Sequence, residues 1–147
     1  MGRKLGWHCN NCENGEVFHL GYSAHALNPP AFISEAQSGK HGALLKFLMD
    51  EDAPLKVDVR MRGAHFMCPY CRRIYSGKVA YVQDETNAIF RHTIAPERCP
   101  HCNSVVDNEA SGVRVRSKGI QRYVDQIWVE GCPRCGGEVE RIDLDWS

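Results

Sequence analysis

Eight cysteines fall without remainder into four C-x-x-C pairs, Cys9/Cys12, Cys68/Cys71, Cys99/Cys102 and Cys132/Cys135. Between the pairs lie short stretches of apolar–polar alternation, and one leucine-rich stretch interrupts them. These three observations predict a small, metal-bound, mainly β fold with a short helical insert. The chain of 147 residues is expected to form one unit over residues 1–147, with a helical insert at about 29–52, a central ribbon at about 55–107 and a C-terminal ribbon part at about 108–147.

The metal assignment rests on the chemistry of the pairs. A C-x-x-C turn lets two thiolates reach one ion while nearby backbone amides point at the sulfurs, and two turns complete a tetrahedral four-sulfur site. Eight sulfurs therefore predict two ions, with Cys9, Cys12, Cys68, Cys71, Cys99, Cys102, Cys132 and Cys135 as the ligands. Such sites are closed to water and substrate, so the ions are expected to make shape rather than chemistry. Disulfide scaffolds do not sort every cysteine into such pairs, and a thioredoxin-like motif wants a helix after the pair. Here strand-like EVFHLGY and EVERIDL follow the first and last pairs. His8 and His101 adjoin cysteines and are expected to be bystanders.

The elements read as follows. After the first knuckle, Glu16–Tyr22 alternates as a strand. Asn28 is placed to cap a helix with Pro29 in its first turn, and Ala31–Gln37 forms that helix. Ser38-Gly39 breaks it, and Gly42–Met49 forms a second, with Leu44, Leu45, Leu48 and Met49 as one apolar face packed on a ribbon. Asp50, Glu51 and Asp52 oppose the helix dipole and are expected in solvent, with Pro54 beyond them. Leu55–Arg62, Lys78–Gln83 and Ala88–Ile94 are strands, the last two joined by a turn near Asp84–Asn87. In the last third, Gly112–Arg116 and Ile127–Val129 read as strands flanking Ile120–Asp125, and Val139–Leu144 closes the chain.

Two schemes of knuckle pairing compete. Tandem pairing joins the first with the second and the third with the fourth; nested pairing joins the first with the fourth and the second with the third. Loop closure separates them by less than about 1 kcal/mol. Local character favours nesting: Trp7 and Phe66-Met67 put bulky apolar residues before the first and second pairs, whereas CPHC and CPRC look like second halves. A crossed arrangement is the third alternative.

The order of knuckles resembles that of zinc-ribbon, rubredoxin-like proteins. More narrowly, it resembles small bacterial multi-C-x-x-C proteins: an N-terminal knuckle, a helical insert with a turn at Gly39–Gly42, three later knuckles of the C-P-x-C type, and GCPRCGG. The resemblance implies fold and metal and transfers no mechanism. Iron is the rival ion, because the 27 residues between Cys71 and Cys99 resemble the rubredoxin spacing. Rubredoxin-like knuckles want glycine after each pair for a left-handed turn. The residues there are Glu13, Arg72, Asn103 and Gly136, which favours zinc.

Formal net charge is zero, 18 basic against 18 acidic residues, so no global field draws in a polyanion. Local basic residues remain: Arg60, Arg62, Arg72 and Arg73 around knuckle two, and Arg114, Arg116, Lys118 and Arg122 later. In GVRVRSK the arginines alternate, which puts them on one face of a strand, with Tyr123 and Trp128 near enough to stack a base. No run reaches the roughly 18–20 apolar residues of a membrane span and the start lacks an apolar signal region, which reads as cytoplasmic. The sequence shows no Ser-His-Asp set, phosphate-binding glycine loop or acid pair on a known scaffold. The expected function is a zinc-stabilised adaptor for a protein or nucleic-acid partner without catalysis of its own. The alternatives are iron electron transfer, or an enzyme whose site is not visible in the sequence.

Overall fold

The computed structural model describes residues 2–20, 26–27, 30–53, 55–110 and 112–146. The expected cap at Asn28, Pro29 in the first turn, the stop at Pro54 and the strand's end at Tyr22 lie outside these residues. The described residues are mainly β, with two antiparallel sheets and three helices among them.

The first sheet has β1 (Gly2–Cys9) in the middle, β2 (Gly15–Leu20) on one side and the closing strand β8 (Val139–Trp146) on the other. Strand β1 carries no expectation from the sequence, yet its signal is present. Leu5, Trp7 and Cys9 alternate and are fully buried, as one face of a central strand must be.

The second sheet runs β3 (Ala26–Leu27), β4 (Val57–Met67), β5 (Ile74–Asp84), β6 (Ile89–Ile94), with β7 (Arg114–Val115) also paired to β4. Strands β4 and β5 are longer than their sequence signals because each runs on to knuckle two. The β5–β6 turn is fixed by Asp84, whose carboxylate accepts from the Thr86 amide at 2.8 Å and the Ala88 amide at 3.2 Å.

One face of this sheet is covered by α1 (Pro30–Gln37) and α2 (Ala43–Met49). Phe32, Ala36, Leu45 and Met49 pack there on Met61, Ala80 and Val82, so the helical pair sits on a ribbon as expected. The apolar face of α2 is narrower than its leucines suggest. Leu45 and Met49 point inward and Leu48 is half-buried, but Leu44 is 53% exposed. A seven-residue helix lying on one sheet buries the i, i+4 line and leaves its flank in solvent. Asp50, Glu51 and Asp52 are exposed.

The last third departs most from expectation. The strand at Gly112–Arg116 shrinks to Arg114–Val115, and the strand at Ile127–Val129 is absent. A 14-residue helix, α3 (Ser117–Glu130), takes its place. Ile120, Val124 and Ile127 are its buried residues, spaced by four and three, a helical period that outweighs the short strand-favouring run IWV. Gln121–Asp125 and Gln126–Glu130 hydrogen bonds add i, i+4 support, and Gly131 at φ 98° ends the helix. Helix α3 joins the sheets: Ile120 and Val124 pack with Leu5, Phe18 and Leu20 of the first and Ile74 of the second.

Candidate metal centres

All four knuckles share one hydrogen-bonded turn. The amide of each first cysteine donates to the carbonyl five residues on, in Cys9→Asn14, Cys68→Arg73, Cys99→Ser104 and Cys132→Gly137, at 2.8–2.9 Å. The carbonyl of that cysteine accepts from the amide four residues on, that of Glu13, Arg72, Asn103 or Gly136, again at 2.8–2.9 Å. The first two knuckles are thereby hairpin turns, β1–β2 and β4–β5, with His8 opposite Gly15 and Met67 opposite Ile74.

The turn requires a left-handed residue after the second cysteine, and every knuckle has one: Glu13 at φ 61°, Arg72 at 63°, Asn103 at 63° and Gly136 at 75°. The absence of glycine after Cys12 and Cys71 therefore does not prevent the left-handed turn at those knuckles. The closing hydrogen bonds hold Glu13 and Arg72 where a side chain is disfavoured by the order of 1 kcal/mol. The missing glycines thus carry no argument against iron. Arg72→Gly and Glu13→Gly are each expected to raise stability by about 0.5–1 kcal/mol, read as a rise of roughly 1–4 °C in the melting midpoint of metal-loaded protein. A lower midpoint for both variants would show that the turn carries no strain.

The turns bring the cysteines together in nested fashion, Cys9/Cys12 with Cys132/Cys135 and Cys68/Cys71 with Cys99/Cys102. Within each quartet the sulfurs all lie within 4.8 Å of one another. The closest separations across the knuckles are 3.5 and 3.6 Å in the first cage and 3.6 Å twice in the second. A disulfide would require about 2.05 Å. A regular tetrahedron with a metal–sulfur distance near 2.3 Å has edges of about 3.8 Å. The cages fit a tetrathiolate ion, and a cage of this size suits zinc and iron alike.

In each quartet the first cysteine of a pair is buried and the second is more exposed, Cys12 and Cys71 partly and Cys102 and Cys135 more so. Donors converge on the outer sulfurs. Asn14 Nδ2 donates to Cys12 at 3.0 Å, Ser104 Oγ lies 3.3 Å from Cys102, and the Gly137 amide donates to Cys135 at 3.4 Å. These contacts favour thiolates. The Asn14 side chain and amide draw Cys12 down to about 6, and Ser104 does the same for Cys102. Burial, with the neighbouring thiols, pushes Cys71 up to about 12. Four sulfurs so close ionise together only around a cation, so metal binding releases protons. A side chain at Gly137 would crowd the cage: a Cβ there would lie 3.2 Å from Cys135 Sγ and 3.4 Å from Cys9 Sγ.

Asn14, Ser104 and Gly137 carry no expectation from the sequence. Their common signal is position: each stands two residues after the second cysteine of its pair. The histidines next to the cages are occupied elsewhere, His8 with Asn10 Oδ1 and His101 with the Ile74 carbonyl.

The basic residues separate into three groups. Arg73 is withdrawn from the surface, half-buried and 3.1 Å from Glu16. Arg72, Lys118 and Arg122 are exposed and distributed over knuckle two and α3, and Arg60 is paired with Asp58 at 3.3 Å. Arg62, Arg114 and Arg116 line one cavity, joined by Arg91. The aromatic residues expected beside them are engaged in packing: Tyr123 donates to Glu16 at 2.8 Å, and Trp128 donates to the Gly6 carbonyl at 2.8 Å beneath Arg141. Tyr81, which carries no expectation from the sequence, stands in the cavity instead.

No protein-family model, curated protein or solved structure matches the chain. Among the described residues no helix is long and apolar enough to cross a membrane.

Proposed function

We propose that this protein is a binding module whose two cysteine cages hold structural Zn2+, an adaptor for a protein or nucleic-acid partner with no catalysis of its own. The observation that carries the reading is the pair of sulfur quartets, four ligands to a cage with none left over. A cage filled by four protein sulfurs leaves no coordination position for substrate. When bound, each ion supplies a rigid tetrahedral cross-link. The chain's own residues do the rest: the amides and Asn14 offset sulfur charge, and the knuckles clamp the ends of the hairpins. Zinc is preferred over ferrous iron at sites with no geometric selection against it, following the general order of divalent affinities.

Iron electron transfer is the second reading, favoured by the left-handed residue at all four knuckles. Elemental analysis of purified protein, with a visible spectrum, separates the two. Two zinc ions per chain and no visible absorption are expected. Iron with charge-transfer bands would replace the adaptor reading by electron transfer, and no metal at all would remove both.

A further inference from the structure

The β4–β5–β6 sheet has one face under α1 and α2, and a second face that changes character along its length. Near knuckle two, Phe66, Tyr75 and Val79 of that second face are buried with Val106 and Val113. Farther along, the same face turns basic. Arg60 stands directly opposite Tyr81, and Tyr81 directly opposite Arg91, making an Arg–Tyr–Arg row across three strands. Arg62 follows Arg60 by two residues and so shares its face.

Two adjoining cavities open on this surface, of about 600 and 390 Å³, and Arg62 and Tyr81 line both. The larger is lined by four arginines, Arg62, Arg91, Arg114 and Arg116, with no Asp or Glu among its described lining residues. Arg91, Arg114 and Arg116 make no ion pair with any described residue, although the chain has as many acids as bases. Arg114 instead donates to the Tyr81 hydroxyl at 3.3 Å, orienting the ring between the arginines. Helix α3 begins at this cavity, with Ser117 in its lining and no acid in its first turn, so its positive end adds to the arginine field.

Concentrated, mutually repelling guanidinium groups in a chain of zero net charge favour a ligand with several negative charges. Guanidinium forks match phosphate oxygens, and an aromatic ring among them matches a nucleobase. An open sheet face accepts a flexible strand with splayed bases, whereas an α-helix or β-ribbon inserted in a groove is the usual reader of a duplex. The geometry points to a single-stranded nucleic-acid site on this face, with phosphodiesters on Arg62, Arg91, Arg114 and Arg116 and a base against Tyr81. The inference rests on the binding-module reading and specifies its partner. Arg60 contributes less, because Asp58 already neutralises it.

The test is fluorescence anisotropy with labelled oligo(U) and oligo(dT) of about 12 nucleotides, within the usual site size of such surfaces. The protein is first shown to carry two ions per chain and to unfold cooperatively. Binding is expected at low salt, with log K falling against log salt at a slope of roughly −2 to −3 for three to four phosphate contacts. Arg91→Gln and Arg114→Gln should each flatten the slope by about 0.7. Tyr81→Leu should weaken binding about tenfold or more with the slope unchanged. Arg122→Gln, outside the cavity, should alter neither. No binding by metal-loaded, folded protein would overturn the inference and leave the structural-metal reading intact. Equal binding of polyglutamate, preference for a duplex, or indifference to the Arg91 and Arg114 changes would overturn it too. Metal-free yet folded protein would instead sink the structural-metal reading, and its anisotropy would still decide the inference.

Discussion

Cys132→Ser is expected to leave one ion per chain and to unfold the first sheet while the second persists. The cage that Cys132 closes ties the β1–β2 hairpin to the segment between α3 and β8, elements some 120 residues apart in the chain. The packing directly beside the sulfurs is small, and Leu5, Phe18 and Leu20 of the same sheet pack in a separate cluster with Ile120 and Val124. The adjoining core cluster consists of Trp7 and Ile127 with Cys9 and Cys132 themselves, so half of its buried members are ligands. Structural zinc contributes on the order of 10 kcal/mol to small domains, against a total stability of about 5–15 kcal/mol, so its loss is not absorbed locally. Cys99→Ser should have the mirrored effect, exposing the cluster around Phe66 and Tyr75. Elemental analysis gives the ion count, and hydrogen exchange shows which strands lose protection. If Cys132→Ser kept both the wild-type midpoint and the protection of β1 and β8, the first cage would hold no metal that matters to the fold.

The cages were legible because cysteine spacing is a local code: a C-x-x-C pair announces its turn whatever the rest of the chain does. Nested pairing was legible for a related reason, since bulky residues before Cys9 and Cys68 mark strands that run into a core, and Trp7 and Phe66 are indeed buried. Three features were hidden by tertiary context. The left-handed turns at Glu13 and Arg72 are imposed by two closing hydrogen bonds, which override the preference of those residues. Helix α3 was disguised by Gly119 in its first turn and by the strand-favouring Ile-Trp-Val run at its end, and only its packing against both sheets reveals the period that matters. The arginine cavity assembles Arg91 on β6 with Arg62 on β4 and Arg114 on β7, from three stretches whose proximity depends on strand order. Alternation in GVRVRSK reaches only Arg114 and Arg116 of this set, and Tyr123 and Trp128, close to them in the sequence, are held by Glu16 and the Gly6 carbonyl.

Glu16→Ala should be the most damaging change away from the cages. Glu16 Oε1 accepts from Trp7 Nε1 at 3.2 Å, from an Arg73 guanidinium nitrogen at 3.1 Å and from the Tyr123 hydroxyl at 2.8 Å. Those three donors come from the strand leading to Cys9, the residue two beyond Cys71, and α3, so one carboxylate joins both metal-bearing hairpins to the helix between them. The side chains of Glu16 and Arg73 are 12% and 24% exposed, dry enough for a lost partner to matter. Burial and the Glu16 charge together push the Tyr123 phenol up, so the tyrosine stays a donor across the working range of pH. Arg73 Nε already lacks a partner among the described residues. Removing the carboxylate strands one charge and two neutral donors, a loss of roughly 2–4 kcal/mol, or about 5–12 °C in midpoint for a chain of this length. Glu16→Gln keeps an acceptor and loses the charge, so its effect should be smaller. Adding Arg73→Met to Glu16→Ala removes the orphaned cation and should recover part of the loss. Denaturant midpoints for the four proteins of this cycle measure the coupling directly. Additive effects in proteins that still carry two ions would mean the carboxylate does not join the hairpins energetically.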